Sequence, residues 1–177
     1  FLIADGHTVT SVSGEYAAGS PHLTDLGYLT PFDMVVWGEA GAGSGAVQAS
    51  AVYATLESYV QSGGHLLVTG YDTLASPDDP LLAALVRSTT TSDILESSFV
   101  TAATDHFILN GPAGDYRGTT ITPPYSDWDG ATADAAAGTI SLAKHGSSSY
   151  DAIIYTDLPD PGGSVGYWTG GLSGSTP

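Results

Sequence analysis

One stretch of the sequence, residues 32–69, constrains the fold more than any other. Residues 32–37 form a nearly continuous apolar run, which is typical of a strand that is buried on both faces. Residues 46–62 place apolar side chains at helical spacing, and two glycines then end the helix. Residues 65–69 are a second short apolar run. This order of strand, helix and strand predicts two parallel strands joined by a right-handed crossover.

The rest of the chain is predicted to add short strands and one short helix. Residues 8–12 alternate between polar and apolar side chains like a strand. The run Ser-Pro-Asp-Asp at residues 76–79 is a strong helix start, with a capping hydroxyl, a first-turn proline and two acids, so a helix is predicted over 80–86. Later strand candidates, separated by Pro, Gly, Ser and Asp clusters, are residues 97–101, 119–122, 139–144, 152–155 and 164–168. Because the last three lie close together, they predict an antiparallel meander.

The charge balance excludes several classes of partner. Nineteen Asp and Glu stand against three basic residues, Arg87, Arg117 and Lys144, for a formal net charge of −16. Binding to nucleic acid or to anionic lipid needs a basic surface, so neither is expected. No apolar run approaches ~18 residues, and we therefore expect no insertion into a membrane. The absence of cysteine excludes disulfides and thiolate metal sites.

The length of 177 residues predicts a single domain over residues 1–177. An apolar fraction of 42% is enough for a real core. Ser, Thr, Gly, Tyr and Asp are abundant and Lys is almost absent, a composition that favours a secreted or cell-surface protein over a cytosolic enzyme.

Several short motifs occur in a recognisable order along the chain. They are Gly-His-Thr-Val-Thr at residues 6–10, Phe-Asp-Met-Val-Val-Trp at 32–37, the stretch 56–70, Asp-His-Phe-Ile-Leu-Asn-Gly at 105–111, and the late strands 140–143 and 163–168. Together they resemble the class I glutamine amidotransferase-like superfamily, most closely its non-enzymatic and trehalose-utilisation-type branches. The resemblance implies a flavodoxin-like three-layer α/β fold, with a mainly parallel sheet and an antiparallel C-terminal strand meander.

Two departures from that superfamily bear on function. Its members begin with a central strand and end with a helix, whereas this sequence starts at a helix end and stops soon after Trp168. We therefore expect a fragment that lacks its first strand and last helix. The enzymes also carry a cysteine nucleophile and a downstream His-x-Glu, and this sequence has neither. The leading hypothesis is a non-catalytic structural or interaction domain that associates with itself or with flanking segments of its own precursor.

A glycine-rich loop suggests one alternative function, nucleotide binding. Gly41, Gly43 and Gly45 lie between a predicted strand and a predicted helix, where backbone N–H groups hold phosphate in dinucleotide-binding folds. Asp72 ends the next strand, at the place of a ribose-binding acid. Against this, Glu39 would face the phosphates and no Lys or Arg is near in sequence. We favour a mobile loop at the carboxyl edge of the sheet, with no cofactor.

An acidic cluster is the leading candidate metal site. Asp127, Asp129 and Asp134 are typical of oxygen-rich calcium loops, because hard cations bind several carboxylate and carbonyl oxygens. No Glu closes the loop at EF-hand spacing, so the alternative is an Asp-rich turn with Trp128 packed inward.

The other alternative function is a hydrolase acting on a small molecule or carbohydrate at the carboxyl edge of the sheet. Asp105 and His106 would supply an oriented base, although a plain turn is the simpler interpretation. His65 opens a buried strand and is predicted to be a hydrogen-bonded core residue rather than a ligand. The aromatic residues that would either stack on sugar rings or belong to the core are Tyr125, Trp128, Tyr167 and Trp168.

The structure can separate these hypotheses. A pocket with convergent polar groups and a shifted pKa near Asp72 or His106 favours a hydrolase. Phosphate bound at Ala46 favours a nucleotide-binding module. A flat site lined by Gly and Ser favours the non-catalytic interaction domain.

Overall fold

The computed structural model describes residues 6–10, 22–38, 49–70, 73–75, 78–123 and 127–170. The helices in these ranges are α1 (Leu26–Leu29), α2 (Ser50–Gln61) and α3 (Pro80–Leu85). The strands are β1 (Met34–Gly38), β2 (His65–Thr69), β3 (Ser88–Leu95), β4 (Phe99–Thr101), β5 (Asn110–Gly111), β6 (Gly114–Asp115), β7 (Thr120–Ile121), β8 (Asp127–Ala133), β9 (Ile140–His145), β10 (Asp151–Asp157) and β11 (Ser164–Trp168). A 3-10 turn, Ala135–Ala137, follows β8. None of the described helices has the length and apolar character needed to cross a membrane.

The predicted unit of strand, helix and strand is confirmed. β1 and β2 pair in parallel, with Met34 opposite His65 and Gly38 opposite Thr69, and α2 connects them. The helix forms because its apolar side chains recur at helical spacing and are buried against the sheet. The local sequence pattern and the tertiary packing therefore favour the same structure here.

Two glycines end α2 for different reasons. Gly63 has a φ of +106°, in the left-handed region that favours glycine. Gly64 lies directly against the ring of Tyr59, where an added Cβ would collide with the ring. The Tyr59 hydroxyl then donates a hydrogen bond of 2.8 Å to the carbonyl of Phe32, just before β1. This turn therefore fixes the end of α2 relative to both β1 and β2.

The predicted short helix is present as α3, with a different cap. Asp79, rather than a hydroxyl, accepts hydrogen bonds from the backbone N–H groups of Leu81 and Leu82 at 3.1 and 2.9 Å, and Pro80 opens the helix. Asp79 also accepts a hydrogen bond from the buried hydroxyl of Tyr53 in α2. One carboxylate thus both caps α3 and joins it to α2.

β11 lies in the centre of the sheet. It pairs in parallel with β2 on one side and antiparallel with β10 on the other. The strand order is β1-β2-β11-β10-β9-β4-β7, and the late strands β9, β10 and β11 form the predicted antiparallel arrangement. β3 and β8 form an antiparallel pair that joins the sheet where Ala131 of β8 pairs with Asp151 of β10.

The predicted flavodoxin-like three-layer α/β fold with a mainly parallel sheet is wrong. Strands account for 39% of the structure and helices for 18%, and one mixed nine-stranded sheet with antiparallel parts stands where a helix-flanked parallel sheet was expected. The reason lies largely in β3 and β8, which are rich in Ser, Thr and Asp and therefore give no apolar run in the sequence. Residues 8–10, the described part of the strand predicted at 8–12, lie outside every strand.

The described helices pack on one face of the sheet. Leu66 and Val68 of β2, and Val165 and Tyr167 of β11, share one buried cluster with residues of all three helices. Side chains alternate across a strand, so the residues between them point to the opposite face. Two smaller buried clusters lie toward the far strands, one with Phe99, Trp128, Ala143 and Ala152, the other with Leu109, Leu142 and Tyr155.

Asp129 in β8 links three separate parts of the fold. The residue is fully buried, and its Oδ2 accepts hydrogen bonds from three consecutive backbone N–H groups, of residues 73–75, at 2.6, 2.5 and 3.1 Å. Its backbone carbonyl accepts hydrogen bonds from the hydroxyls of Tyr167 at 3.0 Å and Thr169 at 2.6 Å. A buried carboxylate is tolerated only with such donors, because an unpaired charge in the interior is costly.

We expect Asp129→Asn to lower the free energy of unfolding by about 3 kcal/mol, because hydrogen bonds to a charged group contribute roughly 1.5–3 kcal/mol each. Asp134→Asn is the matched control, since the described bonds of the Asp134 carboxylate are to the N–H groups of Ala136 and Ala137, and Asn replaces Asp well as a cap. Urea unfolding followed by circular dichroism measures both variants. Equal losses of stability would contradict a special role for Asp129.

His145 is expected to make stability depend on pH. The residue is 3% exposed, and its ring packs against Trp128 with centroids 6.0 Å apart. Burial lowers the pKa of His145 from its ordinary value of 6.5, although Glu96 and Asp151 oppose the shift. The unfolded chain therefore binds the proton more readily, so stability is highest above pH 6.5 and falls as the pH drops toward the lowered pKa of the folded state.

We expect the urea midpoint of the natural chain to decrease when the pH is lowered from about 7.5 to about 5.5. The decrease should be smaller for His145→Phe, which keeps an aromatic ring but does not titrate. His7→Gln, at an exposed histidine, is the control and should follow the natural chain. If His145→Phe showed the same pH dependence as the natural chain, another group would be responsible.

Candidate functional site

One face of the four neighbouring strands β1, β2, β11 and β10 carries the side chains that we call the open face. Its members are Met34, Val36, His65, Leu67, Ser164 and Gly166 of β1, β2 and β11, with Tyr155 and Asp157 of β10. The helices pack on the other face, whereas Met34 is 54% and Val36 39% exposed. Parallel strands are ordinarily buried on both faces. On the open face, therefore, β1 exposes apolar side chains that a parallel strand ordinarily buries.

A polar row crosses the open face where β2 and β11 begin and β10 ends. His65 lies opposite Ser164, and Ser164 opposite Asp157. The distance between His65 Nδ1 and Ser164 Oγ is 2.9 Å, and the Tyr155 hydroxyl donates a hydrogen bond of 2.5 Å to Asp157 Oδ1. His65 is hydrogen-bonded, as predicted, but it is exposed rather than part of the core. The row lies at the amino ends of β2 and β11, opposite the edge where a ligand site was predicted.

An apolar row runs beside the polar one. Val36, Leu67, Gly166 and Tyr155 lie opposite one another on successive strands. A Cβ added at Gly166 would meet the side chains of Leu67 and Tyr155 at 3.6 and 3.8 Å, which is ordinary van der Waals contact. Gly166 thus leaves a shallow space between two flanking side chains. Gly166 lies in the middle of the open face, and Ser164 lies two residues away in the polar row, where it is buried.

The segment before β5 covers one end of the open face. The ring of His106 meets that of Tyr155 edge to face at 4.9 Å, and the ring of Phe107 lies 5.5 Å from Tyr155. Leu109 is buried with Leu142 and Tyr155 beneath them. Phe107 itself remains 64% exposed. An aromatic side chain therefore stands at the border of the polar row, available for contact.

Burial keeps two groups of this site uncharged near pH 7. It lowers the pKa of His106, while the charge of Asp157 partly opposes the shift. It also raises the pKa of Tyr155, and the hydrogen bond to Asp157 acts in the same direction. Neutral His106 and neutral Tyr155 leave Asp157 as the acidic group of this end of the open face.

All three basic side chains of the protein are already engaged. Each contacts a carboxylate: Arg87 with Glu57 at 2.6 Å, Arg117 with Asp115 at 2.8 Å, and Lys144 with Asp151 at 2.7 Å. The chain has no further Lys or Arg to neutralise its remaining acidic residues. The surface as a whole attracts positive charge.

The pair of Ser164 and His65 has the side-chain chemistry of a nucleophile and its base. In a catalytic triad a carboxylate holds the other nitrogen of the imidazole, and backbone N–H groups stabilise the oxyanion. Among the described residues, no carboxylate is hydrogen-bonded to the ring of His65, and Ser164 begins a regular strand rather than a sharp turn. The described residues therefore supply two groups of such a site, a hydroxyl and an imidazole.

Most of the predicted nucleotide site lies outside the described residues. The residues concerned are Gly41, Gly43, Gly45 and Asp72. Tyr125, one of the aromatic candidates for stacking on sugar rings, also lies outside the described residues. Nucleotide binding by the glycine loop therefore stays a prediction.

Asp105 belongs to a turn and does not orient His106. It accepts hydrogen bonds from Asn110 Nδ2 at 3.0 Å and from Arg117 Nη1 at 3.2 Å. His106 packs instead between Phe107 and Tyr155. The simpler interpretation of these neighbouring residues, a turn, is the better one.

The three predicted calcium ligands are not brought together by any contact that the structure describes. Asp129 is turned toward residues 73–75, and Asp134 caps the 3-10 turn. Asp127 opens β8, and its side chain is outside the described part. Over the described ranges, no group of three or more His, Asp or Glu side chains is arranged to hold a metal ion. Calcium binding stays a prediction.

The remaining aromatic candidates belong mostly to the core. Trp128 and Tyr167 are fully buried, and Trp168 is half-buried at the end of β11. Sequence reasoning missed Tyr155, Asp157 and Ser164, which build the polar end of the open face. Their strands were predicted, and the period-two alternation within each strand would have placed Tyr155 and Asp157 on one face.

Comparisons with known proteins show the fold and no more. No protein-family model matches the sequence, and no curated protein matches it. Among solved structures, the chain is similar to the cytoplasmic protein STM1381 from Salmonella typhimurium LT2, with a TM-score of 0.59 and 14% identity over 90% of this chain and 68% of that one. It is also similar to the mmIFT52 N-terminal domain (TM-score 0.54, 14% identity, 82% and 69% covered) and to the cytoplasmic protein STM3548 from Salmonella typhimurium (0.53, 12%, 85% and 65%).

Proposed function

We propose that this chain is a non-catalytic interaction domain that binds another polypeptide through its open face. The observation that carries the proposal is the unequal covering of β1, β2 and β11, with helices on one face and exposed Met34 and Val36 on the other. Adjacent water-exposed apolar side chains on a sheet face mark a surface that a partner covers.

The composition of the open face also supports a protein partner. Methionine and aromatic residues are enriched at protein interfaces, and here Met34 and Phe107 are both well exposed. Gly166 leaves room for a partner's side chain rather than enclosing a small molecule. Asp157 and His65 supply polar groups at the rim.

A photo-crosslinking experiment tests this function. We place p-benzoylphenylalanine at Leu67, on the open face, or at Ala54, an exposed position of α2, in otherwise identical chains. We expect a discrete adduct from Leu67 and none from Ala54, and we expect the identified partner, once purified, to bind the natural chain. Gly166→Leu fills the space beside Leu67 and should weaken that binding about tenfold, whereas Gly166→Ala should not.

Three results would contradict the proposal. They are equal adducts from both positions, no adduct from Leu67, or an affinity that Gly166→Leu leaves unchanged. Urea midpoints of the two Gly166 variants show whether a loss of binding reflects a loss of folding.

The hydrogen bond between Ser164 and His65 favours a second candidate function, hydrolysis by a serine nucleophile. A fluorophosphonate probe, which labels activated serines, distinguishes the two functions. A non-catalytic domain is expected to remain unlabelled. Labelling of the natural chain that disappears in Ser164→Ala, and persists in the control Ser98→Ala, would instead establish a hydrolase.

A further inference from the structure

β1 forms an edge of the sheet within the described residues, where β2 is its only strand neighbour. The N–H group of His65 donates a hydrogen bond of 3.1 Å to the carbonyl of Asp33. Backbone groups alternate in direction along a strand, so those of Met34 and Val36 point away from β2. The same two residues place their side chains on the open face. The outer edge of β1 therefore offers hydrogen-bonding groups and exposed apolar surface together.

Within Met34–Gly38, β1 carries none of the three protections that an edge strand's own sequence can supply, namely a charged residue, a proline or a bulge. Its sequence, Met-Val-Val-Trp-Gly, contains no charged residue and no proline. Its pairing with β2 continues from Met34 to Gly38 without a register shift. Natural edges are ordinarily blocked by lysine, proline or a bulge, and an unblocked regular edge accepts a further strand.

The charge of the chain selects the kind of strand that fits. The formal net charge is −16, and every Lys and Arg contacts a carboxylate. In the sequence, Asp33 and Glu39 flank β1 on its two sides. Pairing with a second copy would bring two strongly acidic chains together, whereas a basic segment would be attracted.

We infer that the outer edge of β1 binds an extended, basic segment of a partner polypeptide as an additional strand. The backbone of that segment pairs with Met34 and Val36, and alternate side chains of the segment extend the apolar row of the open face. Its Lys and Arg side chains meet the exposed Asp33, directly before β1. The inference rests on the proposed function, because the open face supplies side-chain contacts to the same partner.

A pair of synthetic peptides tests the inference. The probe is a capped peptide of alternating Lys and Val, and a Glu-Val peptide of equal length is its control. We expect the Lys-Val peptide to slow hydrogen exchange at the amides of Met34 and Val36, with an affinity that falls as salt is added. We expect no binding of the Glu-Val peptide. Equal effects of the two peptides, or unchanged exchange at both amides, would overturn the inference.

Variants at Val36 locate the binding. Val36→Pro removes the outward N–H group and leaves the bonds to β2 in place, since proline is tolerated on sheet edges. It should weaken binding of the Lys-Val peptide roughly tenfold, the order of one hydrogen bond. Val36→Thr keeps the N–H group and should bind like the natural chain. If Val36→Pro does not fold, Val36→Lys replaces it, because a cation on the edge repels the same peptide.

Three further results separate this inference from the proposed function and from self-association. Weaker peptide binding in Gly166→Leu but not in Val36→Pro or Val36→Lys would overturn the edge site and leave the open face as the binding surface. Loss of binding in the Val36 variants, with no adduct from Leu67, would retain the edge site and overturn the proposed function. Self-association of the natural chain in sedimentation that Val36→Pro abolishes would assign the edge to a second copy and overturn the basic partner.

Discussion

The hydrogen bonds of Asp129 join the parallel and antiparallel parts of the sheet. β3 and β8 are paired with the main sheet at one position, Ala131 opposite Asp151 of β10, so backbone pairing alone would hold them weakly. Asp129 adds two sets of hydrogen bonds. Its carboxylate accepts from the N–H groups of residues 73–75, after β2, and its backbone carbonyl accepts from two hydroxyls at the end of β11. The carboxyl ends of β2 and β11 are thus positioned by a residue of a third strand.

The elements that were predicted correctly are those that a local sequence pattern specifies. The unit of β1, α2 and β2 and the late antiparallel strands follow from apolar periodicity and from glycines at the helix end, and the structure confirms both. β3 and β8 could not be found in this way. β3 is a half-exposed strand rich in Ser and Thr, and β8, although largely buried, has Asp and Gly in place of an apolar run, so the two are specified by pairing with each other. The helix-flanked sandwich was implied by the family resemblance, and no apolar pattern at β3 or β8 pointed to a different sheet.

The site was predicted less well than the fold, for a related reason. His65 and Ser164 are 99 residues apart in sequence and meet only because β11 lies beside β2. The predicted candidates were recognised instead as clusters in sequence, such as Asp105 with His106, or Asp127 with Asp129 and Asp134. Such neighbours in this chain mostly satisfy backbone N–H groups. The open face depends on strand order, which periodicity does not reveal.

The central position of β11 has a consequence for how the chain folds during synthesis. β2 is made about a hundred residues before the strand that separates it from β10. Until β11 leaves the ribosome, β2 and β10 each expose an unpaired edge, and the core beneath them lacks Val165 and Tyr167. Contacts between residues so distant in sequence form slowly. Cooperative closure of the sheet therefore awaits nearly the whole described chain, and nascent chains stalled before β11 are the species most exposed to aggregation.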